Sequence, residues 1–134
     1  MTTELFYLTL AAALTGLLWL PYIANLLLTH PIKDAVGYPE TPLRMAPWAE
    51  RLKAAHYNSV ENLIVFAALV LVAHAAGISN GATESAALTF FWARLAHALS
   101  YTAAIPWVRT ISFLIAWGAM ACIAWQLLFT GSVV

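Results

Sequence analysis

The segment from Glu50 to Leu71 reads E-R-L-K-A-A-H-Y-N-S-V-E-N-L-I-V-F-A-A-L-V-L and passes from charged to strongly apolar sequence without a break. His56, Asn58 and Glu61 lie at this transition. Polar side chains at the mouth of a membrane helix are costly to insert into the bilayer. Asn58 and Glu61 are three residues apart, so they share one helical face. We therefore expect the other helices to assemble around this polar face.

The composition is that of a membrane protein. Of the 134 residues, 63% are hydrophobic and 9% are charged, whereas a soluble domain carries roughly 25% charged residues. We therefore predict one integral membrane domain in contact with lipids. The formal net charge is zero, and no basic tract suggests a nucleic-acid partner. The single cysteine forms no intrachain disulfide, and no cluster has the ligand spacing of a metal site.

Four apolar helices are predicted, which gives an all-α membrane protein with a four-transmembrane-helix bundle. Their bounds are about 5–28, 49–76, 84–103 and 107–129. At about 1.5 Å per residue, the first is long enough to span ~30 Å of hydrocarbon. It lacks the basic start of a signal peptide, so we expect a retained helix, kinked at Pro21.

The distribution of basic residues predicts the orientation. Four of the six Lys and Arg residues lie in or beside the loop Thr29–Trp48, and Arg109 flanks the third loop. The positive-inside rule places both loops in the cytoplasm, so the N- and C-termini face outward. The four prolines of the first loop prevent it from forming one continuous helix.

The third predicted helix carries its own polar face. Arg94, His97 and Tyr101 follow at intervals of three and four residues, so they share that face. An arginine this deep costs about 3 kcal/mol or more unless it is paired or hydrated. Glu61 is the acidic residue at comparable depth, so we predict that Glu61 and Arg94 face each other or share a polar cavity. This pair either fixes helix register or belongs to a cytoplasm-facing ligand site; we favour the site because several polar groups converge there.

Arg109 is predicted to lie at the rim of this site, near Asn58 and Lys53. A basic rim above a deeper carboxylate suits a small ligand that carries carboxylates and an ammonium or amide, as glutathione does. A tyrosine hydroxyl or an arginine can stabilise a thiolate. Tyr101 and Arg109 are therefore the candidates for that role.

Three motifs carry a family resemblance. They are E-R-x-x-x-A-H-x-N-x-x-E-N at 50–62, W-A-R-L-A-H-A-L-S-Y at 92–101 and P-x-x-R-T at 106–110. Together they resemble the MAPEG family, the membrane-associated proteins in eicosanoid and glutathione metabolism, and in particular its short bacterial members. The resemblance implies a homotrimer in the bacterial inner membrane, with a glutathione site between adjacent subunits on the cytoplasmic side.

The resemblance also implies roles for individual residues. Arg109 matches the arginine placed to activate the glutathione thiol, with Tyr101 as the second catalytic candidate. The family's eicosanoid branches often have an arginine where this chain has Ala54, so Arg51 and Lys53 are the next basic candidates. The expected glutathione-binding set is Arg51, His56, Asn58, Glu61, Arg94, His97 and Tyr101.

Two functions therefore stay open. The first is a glutathione transferase or peroxidase that acts on lipophilic electrophiles or hydroperoxides from the bilayer. The second is a non-catalytic binding or assembly subunit that keeps the fold; the replacement at Ala54 favours it. A small multidrug transporter is disfavoured, because it requires a carboxylate midway along the first helix, where this chain has only Glu4 at the start. A bis-histidine haem site is disfavoured because His56 and His97 have to lie at equal depth and face each other.

Overall fold

The computed structural model describes residues 1–130, and every regular element in that range is helical. The helices are α1 Thr3–Leu17, α2 Trp19–Thr29, α3 Ile32–Ala35, α4 Pro47–Ala75, α5 Gly81–Thr102 and α6 Pro106–Phe129. The predicted bounds of the four long segments agree with these to within three residues. The short helix α3 in the first loop was not predicted.

The first apolar segment is divided into α1 and α2 at Leu18. Pro21 has no backbone N–H, so the carbonyl of Leu17 loses its helical partner, and the helix breaks just before the proline. Leu18 keeps a right-handed helical conformation, with φ −63° and ψ −21°. The kink predicted at Pro21 is thus present as a mild break, and the two helices still form one apolar segment.

Three segments are long and apolar enough to cross a membrane: Thr3–Thr29, Pro47–Ala75 and Pro106–Phe129. The helix α5 is not among them, because Glu84, Arg94 and His97 lower its hydropathy. Three of the four predicted spans therefore have the length and composition of a membrane span, and the count of four stays a prediction.

The core lies where α5 packs against α1, α4 and α6. Phe66 of α4 and Phe90 of α5 are fully buried and stacked, with ring centroids 3.8 Å apart and an interplanar angle of 10°. Alanines next to this stack are also buried, including Ala87 and Ala116. Small side chains allow membrane helices to approach closely, so the stacked rings occupy the space between closely packed backbones.

The helix α4, whose polar face was expected to lie at the centre of the bundle, contacts α1, α2, α5 and α6. Its polar face is not the centre of those contacts, however. Ser59 is buried, whereas Glu61 is exposed. Two residues of α-helix turn the side-chain direction by about 200°, so Glu61 points away from the helices that cover Ser59.

The two interhelical turns end α4 and α5 in the same way. After α4, the Ile78 N–H donates to the Ala73 carbonyl and the Gly77 N–H to the His74 carbonyl. After α5, the Ile105 N–H donates to the Ser100 carbonyl and the Ala104 N–H to the Tyr101 carbonyl. Both are Schellman motifs. Gly77 has φ +67°, and Ala104 has φ +61° at the equivalent position. The second turn brings the start of α6 back beside the end of α5.

Candidate functional site

Arg94 is buried between α5 and α4, with 2% of its surface exposed. Its Nη2 atom donates to Asn58 Oδ1 at 2.7 Å and to Ser59 Oγ at 3.3 Å. Its Nε and Nη1 atoms have no hydrogen-bond partner within residues 1–130. Arg94 and Asn58, two of the predicted site residues, are therefore in direct contact.

Arg94 and Glu61 do not face each other within residues 1–130, and the alternative, a shared polar cavity, stays a prediction. The Arg94 contacts go to Asn58 and Ser59, and Glu61 lies exposed on the outer side of α4. Charge and position along the helix favour Glu61 as the partner, but direction around the helix axis decides which residues Arg94 contacts. The neutral oxygens of Asn58 and Ser59 occupy the side of α4 that faces α5.

A second group forms where the end of α5 meets the start of α6. The rings of His97 and Tyr101 are 5.6 Å apart at 71°, an edge-to-face arrangement. The Arg109 guanidinium carbon lies 5.0 Å from the Tyr101 ring centroid, within the range of a cation–π contact. These three side chains, with Thr110 and Phe113, line a cavity of about 300 Å³. The structure thus brings three of the predicted site residues into one cavity.

His97 links this cavity to the deeper group. It is one helical turn from Arg94 on α5, it is buried, and its Nδ1 atom has no partner within residues 1–130. Phe113 of α6 lies on its other side, with ring centroids 6.1 Å apart. The polar face of α5 is therefore continuous from Arg94 through His97 to Tyr101.

Arg51 borders two cavities. Its Nε atom donates to the carbonyl of Thr102 at 2.9 Å, which fixes the start of α4 to the end of α5. On one side it lines a cavity of about 180 Å³ with Tyr101 and Arg109. On the other side it lines a larger, mostly apolar cavity of about 660 Å³ between α1, α4 and α5, together with Trp48 and Thr102. Its guanidinium is the charged group shared by the two cavities.

His56 does not join either group. Its Nδ1 atom is 2.8 Å from the hydroxyl of the buried Tyr22, so it connects α4 with α2. Its ring also stacks on that of Tyr57, with centroids 6.0 Å apart. Tyr22 could not be recognised as this partner from the sequence, because a tyrosine beside Pro21 in an apolar segment is common at a membrane interface.

Lys53 is not beside Arg109, contrary to the prediction for the rim. Its Nζ atom lies 5.9 Å from the Tyr57 ring centroid. It lines a separate cavity of about 390 Å³ under the first loop, which also contains Asp34 and Tyr22. Among residues 1–130, no three His, Cys, Asp or Glu residues come together in a way that could hold a metal ion.

At the opposite end of the bundle, Glu4 forms a buried polar cluster that sequence reasoning missed. Its carboxylate accepts from Thr83 Oγ1 at 2.5 Å and from Ser79 Oγ at 2.9 and 3.2 Å. Only 3% of Glu4 is exposed. The available signal was the asparagine cap of α5, since Asn80 and Thr83 form a capping box beside this carboxylate.

Comparison with known proteins gives one family. The sequence model of the MAPEG family matches residues 8–129, which is nearly the whole chain. A search of curated proteins finds no match. The match includes both polar groups of α5 and their partners on α4 and α6. On this match, the chain belongs to the MAPEG family of membrane proteins.

Proposed function

We propose that this protein binds glutathione and acts as a glutathione transferase or peroxidase on lipophilic electrophiles. The observation that carries the proposal is the group of His97, Tyr101 and Arg109 around one cavity at the α5–α6 turn. Arg109 matches the family position that activates the thiol, and its guanidinium lies over the ring of Tyr101 in the same cavity. Positive charge beside a thiol favours the thiolate, which is the nucleophile.

The proposed chemistry needs only glutathione and the second substrate. The thiol proton passes to water, and the thiolate stabilised by Arg109 attacks an electrophilic carbon. A carbon–sulfur bond forms as the leaving group departs with its electron pair. With a hydroperoxide, the thiolate attacks the terminal oxygen and the O–O bond breaks, giving an alcohol and glutathione sulfenic acid. A second glutathione reduces the sulfenic acid, giving glutathione disulfide and water.

The larger cavity beside Arg51 is the proposed entry site for the second substrate. Its lining is mostly apolar, from Leu14 and Leu17 on α1 to Leu95 and Leu99 on α5. Arg51 stands between it and the small cavity that contains Tyr101 and Arg109. The shared border at Arg51 places this apolar cavity next to the one that contains Arg109, which favours a lipophilic substrate taken from the bilayer.

Assembly as a homotrimer is also proposed. Glu61 is exposed on α4, a helix long and apolar enough to cross the membrane. A carboxylate that faces lipid at that depth is unfavourable by about 2.5–3.5 kcal/mol on insertion scales. Contact with a second copy removes Glu61 from lipid and completes a site between subunits. Glu61 then offers an acceptor, next to Asn58 on the same helical face, for the ammonium group of glutathione.

The proposed topology has four spans, in which α5 is added to the three long apolar segments. The helix α5 has 22 residues, or about 33 Å at 1.5 Å per residue. Its buried Arg94 and His97 face α4 and α6 rather than lipid, which lowers the cost of placing α5 in the membrane. The basic residues of the first loop and Arg109 then lie on the cytoplasmic side of the bacterial inner membrane, with both termini outside.

A non-catalytic binding or assembly subunit is the alternative. It is favoured by the contacts of two expected ligand residues: Arg51 already binds the Thr102 carbonyl, and His56 already binds Tyr22. Ala54 stands where the resemblance implies an arginine. These features reduce the number of free polar groups for glutathione and leave the fold intact.

Calorimetry with glutathione and the detergent-purified protein distinguishes the two functions. Saturable binding, weakened by both Arg109→Ala and Glu61→Gln, supports the thiol site. Arg44→Ala is the matched control, because it removes the same charge from an exposed loop position. No binding at millimolar glutathione, with the oligomer intact, rejects the enzyme and supports the alternative.

A further inference from the structure

We infer that Arg94 is a positioning residue: it fixes the side-chain amide of Asn58 so that the Nδ2 group of Asn58 donates outward to the ligand. The inference rests on the proposed function, because it assigns a role within the same glutathione site. It differs from the expectation that Arg94 itself contacts the ligand.

The orientation of the Asn58 amide follows from the chemistry of its neighbours. A guanidinium only donates hydrogen bonds, so the amide atom 2.7 Å from Arg94 Nη2 must be the oxygen. The Nδ2 group of Asn62 also points at this oxygen, at 3.4 Å. The shorter of these two bonds comes from α5, so Oδ1 of Asn58 faces that helix, while the Asn62 amide on α4 donates mainly to the Asn58 backbone carbonyl at 2.8 Å. The NH₂ group of Asn58 therefore faces the opposite way.

The Asn58 NH₂ group is free to bind a ligand. It donates to no acceptor within residues 1–130, and the buried unpaired polar atoms of that range belong to Arg94 and His97. Asn58 itself is half-buried, at the edge between buried Ser59 and the exposed face of α4. The free donor thus lies at the partly exposed edge of α4, on the helical face that also carries Glu61.

Arg94 is too buried for direct contact with a ligand bound at this exposed edge of α4. With 2% of its surface exposed, it acts on the site through the residues that it touches. Without Arg94 the Asn58 amide keeps only the longer contact from Asn62, at 3.4 Å, so it rotates more freely between two orientations, of which one presents the donor. A fixed amide orientation avoids the entropy cost of ordering the Asn58 side chain when the ligand binds.

A stability series tests the link between Arg94 and Asn58 without any ligand. Asn58→Asp keeps an acceptor for Arg94, whereas Asn58→Leu removes it. In detergent, the melting temperature of Asn58→Asp is expected to equal or exceed that of the unmutated protein. That of Asn58→Leu is expected to fall by at least about 5 °C, because a buried charge loses its main partner. Equal melting temperatures for Asn58→Leu and the unmutated protein overturn the link.

A double-mutant cycle tests whether the link reaches the ligand. With Asn58 present, Arg94→Met is expected to raise the Kd for glutathione about tenfold. In an Asn58→Ala background the same change is expected to raise it less than about twofold, because nothing is left to orient. An equal factor in both backgrounds overturns the inference, because Arg94 then acts by direct contact or through the fold.

Two further variants keep the test sharp if Arg94→Met folds poorly. Arg94→Lys retains a donor for Asn58 and is expected to keep the Kd within about threefold. Ser59→Ala removes the other Arg94 contact without touching the amide and is the matched control. Asn58→Asp is expected to lose binding while keeping stability, and retained binding in this variant overturns the inference. Absence of glutathione binding by the unmutated protein rejects the proposed function, while the stability series reports the Arg94–Asn58 link separately.

Discussion

The guanidinium carbon of Arg109 lies 5.0 Å from the centre of the Tyr101 ring, across the turn that joins α5 to α6. The contact between these two catalytic candidates therefore involves the aromatic ring of Tyr101 and not its hydroxyl. A cation–π contact depends on the face of the aromatic ring. The hydroxyl of Tyr101 and the charge of Arg109 can consequently be removed one at a time.

The first prediction separates these two groups. Arg109→Ala is expected to lower the rate of glutathione conjugation to an aryl chloride about 10²-fold, because the thiolate loses its stabilising charge. Tyr101→Phe keeps the ring under Arg109 and is expected to lower the rate less than about threefold. The measurement is conjugation by detergent-purified protein, with Arg44→Ala as the control. If Tyr101→Phe is as damaging as Arg109→Ala, the hydroxyl is the thiolate's main partner.

The second prediction concerns the two equivalent turns after α4 and α5. Ala104 holds a left-handed conformation that Gly77 adopts without a steric penalty. Ala104→Gly is expected to raise the free energy of unfolding by about 0.5–1 kcal/mol. The left-handed conformation costs alanine roughly 1–2 kcal/mol, and the larger conformational entropy that glycine loses on folding offsets part of the gain.

The reverse change is the control for this prediction. A Cβ atom added at Gly77 meets no atom within 4 Å, so Gly77→Ala tests the backbone alone. It is expected to lower the free energy of unfolding by about 1 kcal/mol. Thermal unfolding in detergent checks both variants, and a decrease in stability for Ala104→Gly contradicts the prediction.

The helices could be predicted because long apolar segments and their breakers are local properties of the sequence. Pro106 marks the start of α6, and the proline-rich first loop separates α2 from α4. The start of α5 was placed at Glu84 instead of Gly81, because the cap at Asn80 lies before the apolar run. The division of the first apolar segment at Leu18 follows from Pro21, but the small size of the break depends on how the helices pack.

The candidate site could be predicted along each helix but not between helices. Spacing placed Arg94, His97 and Tyr101 on one face, and the structure has them in continuous contact. Charge and depth alone indicate Glu61 as the partner of Arg94, whereas Arg94 contacts Asn58 and Ser59. Which side of α4 faces α5 depends on the packing of Phe66, Ser59 and their neighbours, which no local pattern specifies. The Arg51 contact with the Thr102 carbonyl has the same origin.

The third prediction concerns the stacked rings of Phe66 and Phe90. Both are fully buried, so Phe66→Ala is expected to lower the free energy of unfolding by about 3–5 kcal/mol through lost contacts and a cavity. Phe6→Ala, which truncates an exposed ring of α1, is the control and is expected to change stability little. Unfolding is followed by loss of helical circular dichroism in mixed detergent. Similar effects of the two changes contradict the assignment of this stack as the core of the bundle.

The fourth prediction concerns the buried carboxylate of Glu4, at the end of the bundle opposite to Arg109. Glu4 accepts hydrogen bonds from Thr83 and Ser79, and thereby ties the start of α1 to the α4–α5 turn and the start of α5. Hydrogen bonds to a charged group contribute about 1.5–3 kcal/mol each, so Glu4→Gln is expected to lower the free energy of unfolding by about that amount. Glu84→Gln makes the same change at an exposed position on α5 and is expected to alter stability little. Because Glu4 lies at the end opposite to Arg109, glutathione binding by folded Glu4→Gln is expected to be unchanged. Loss of binding at full stability contradicts the separation of these two ends.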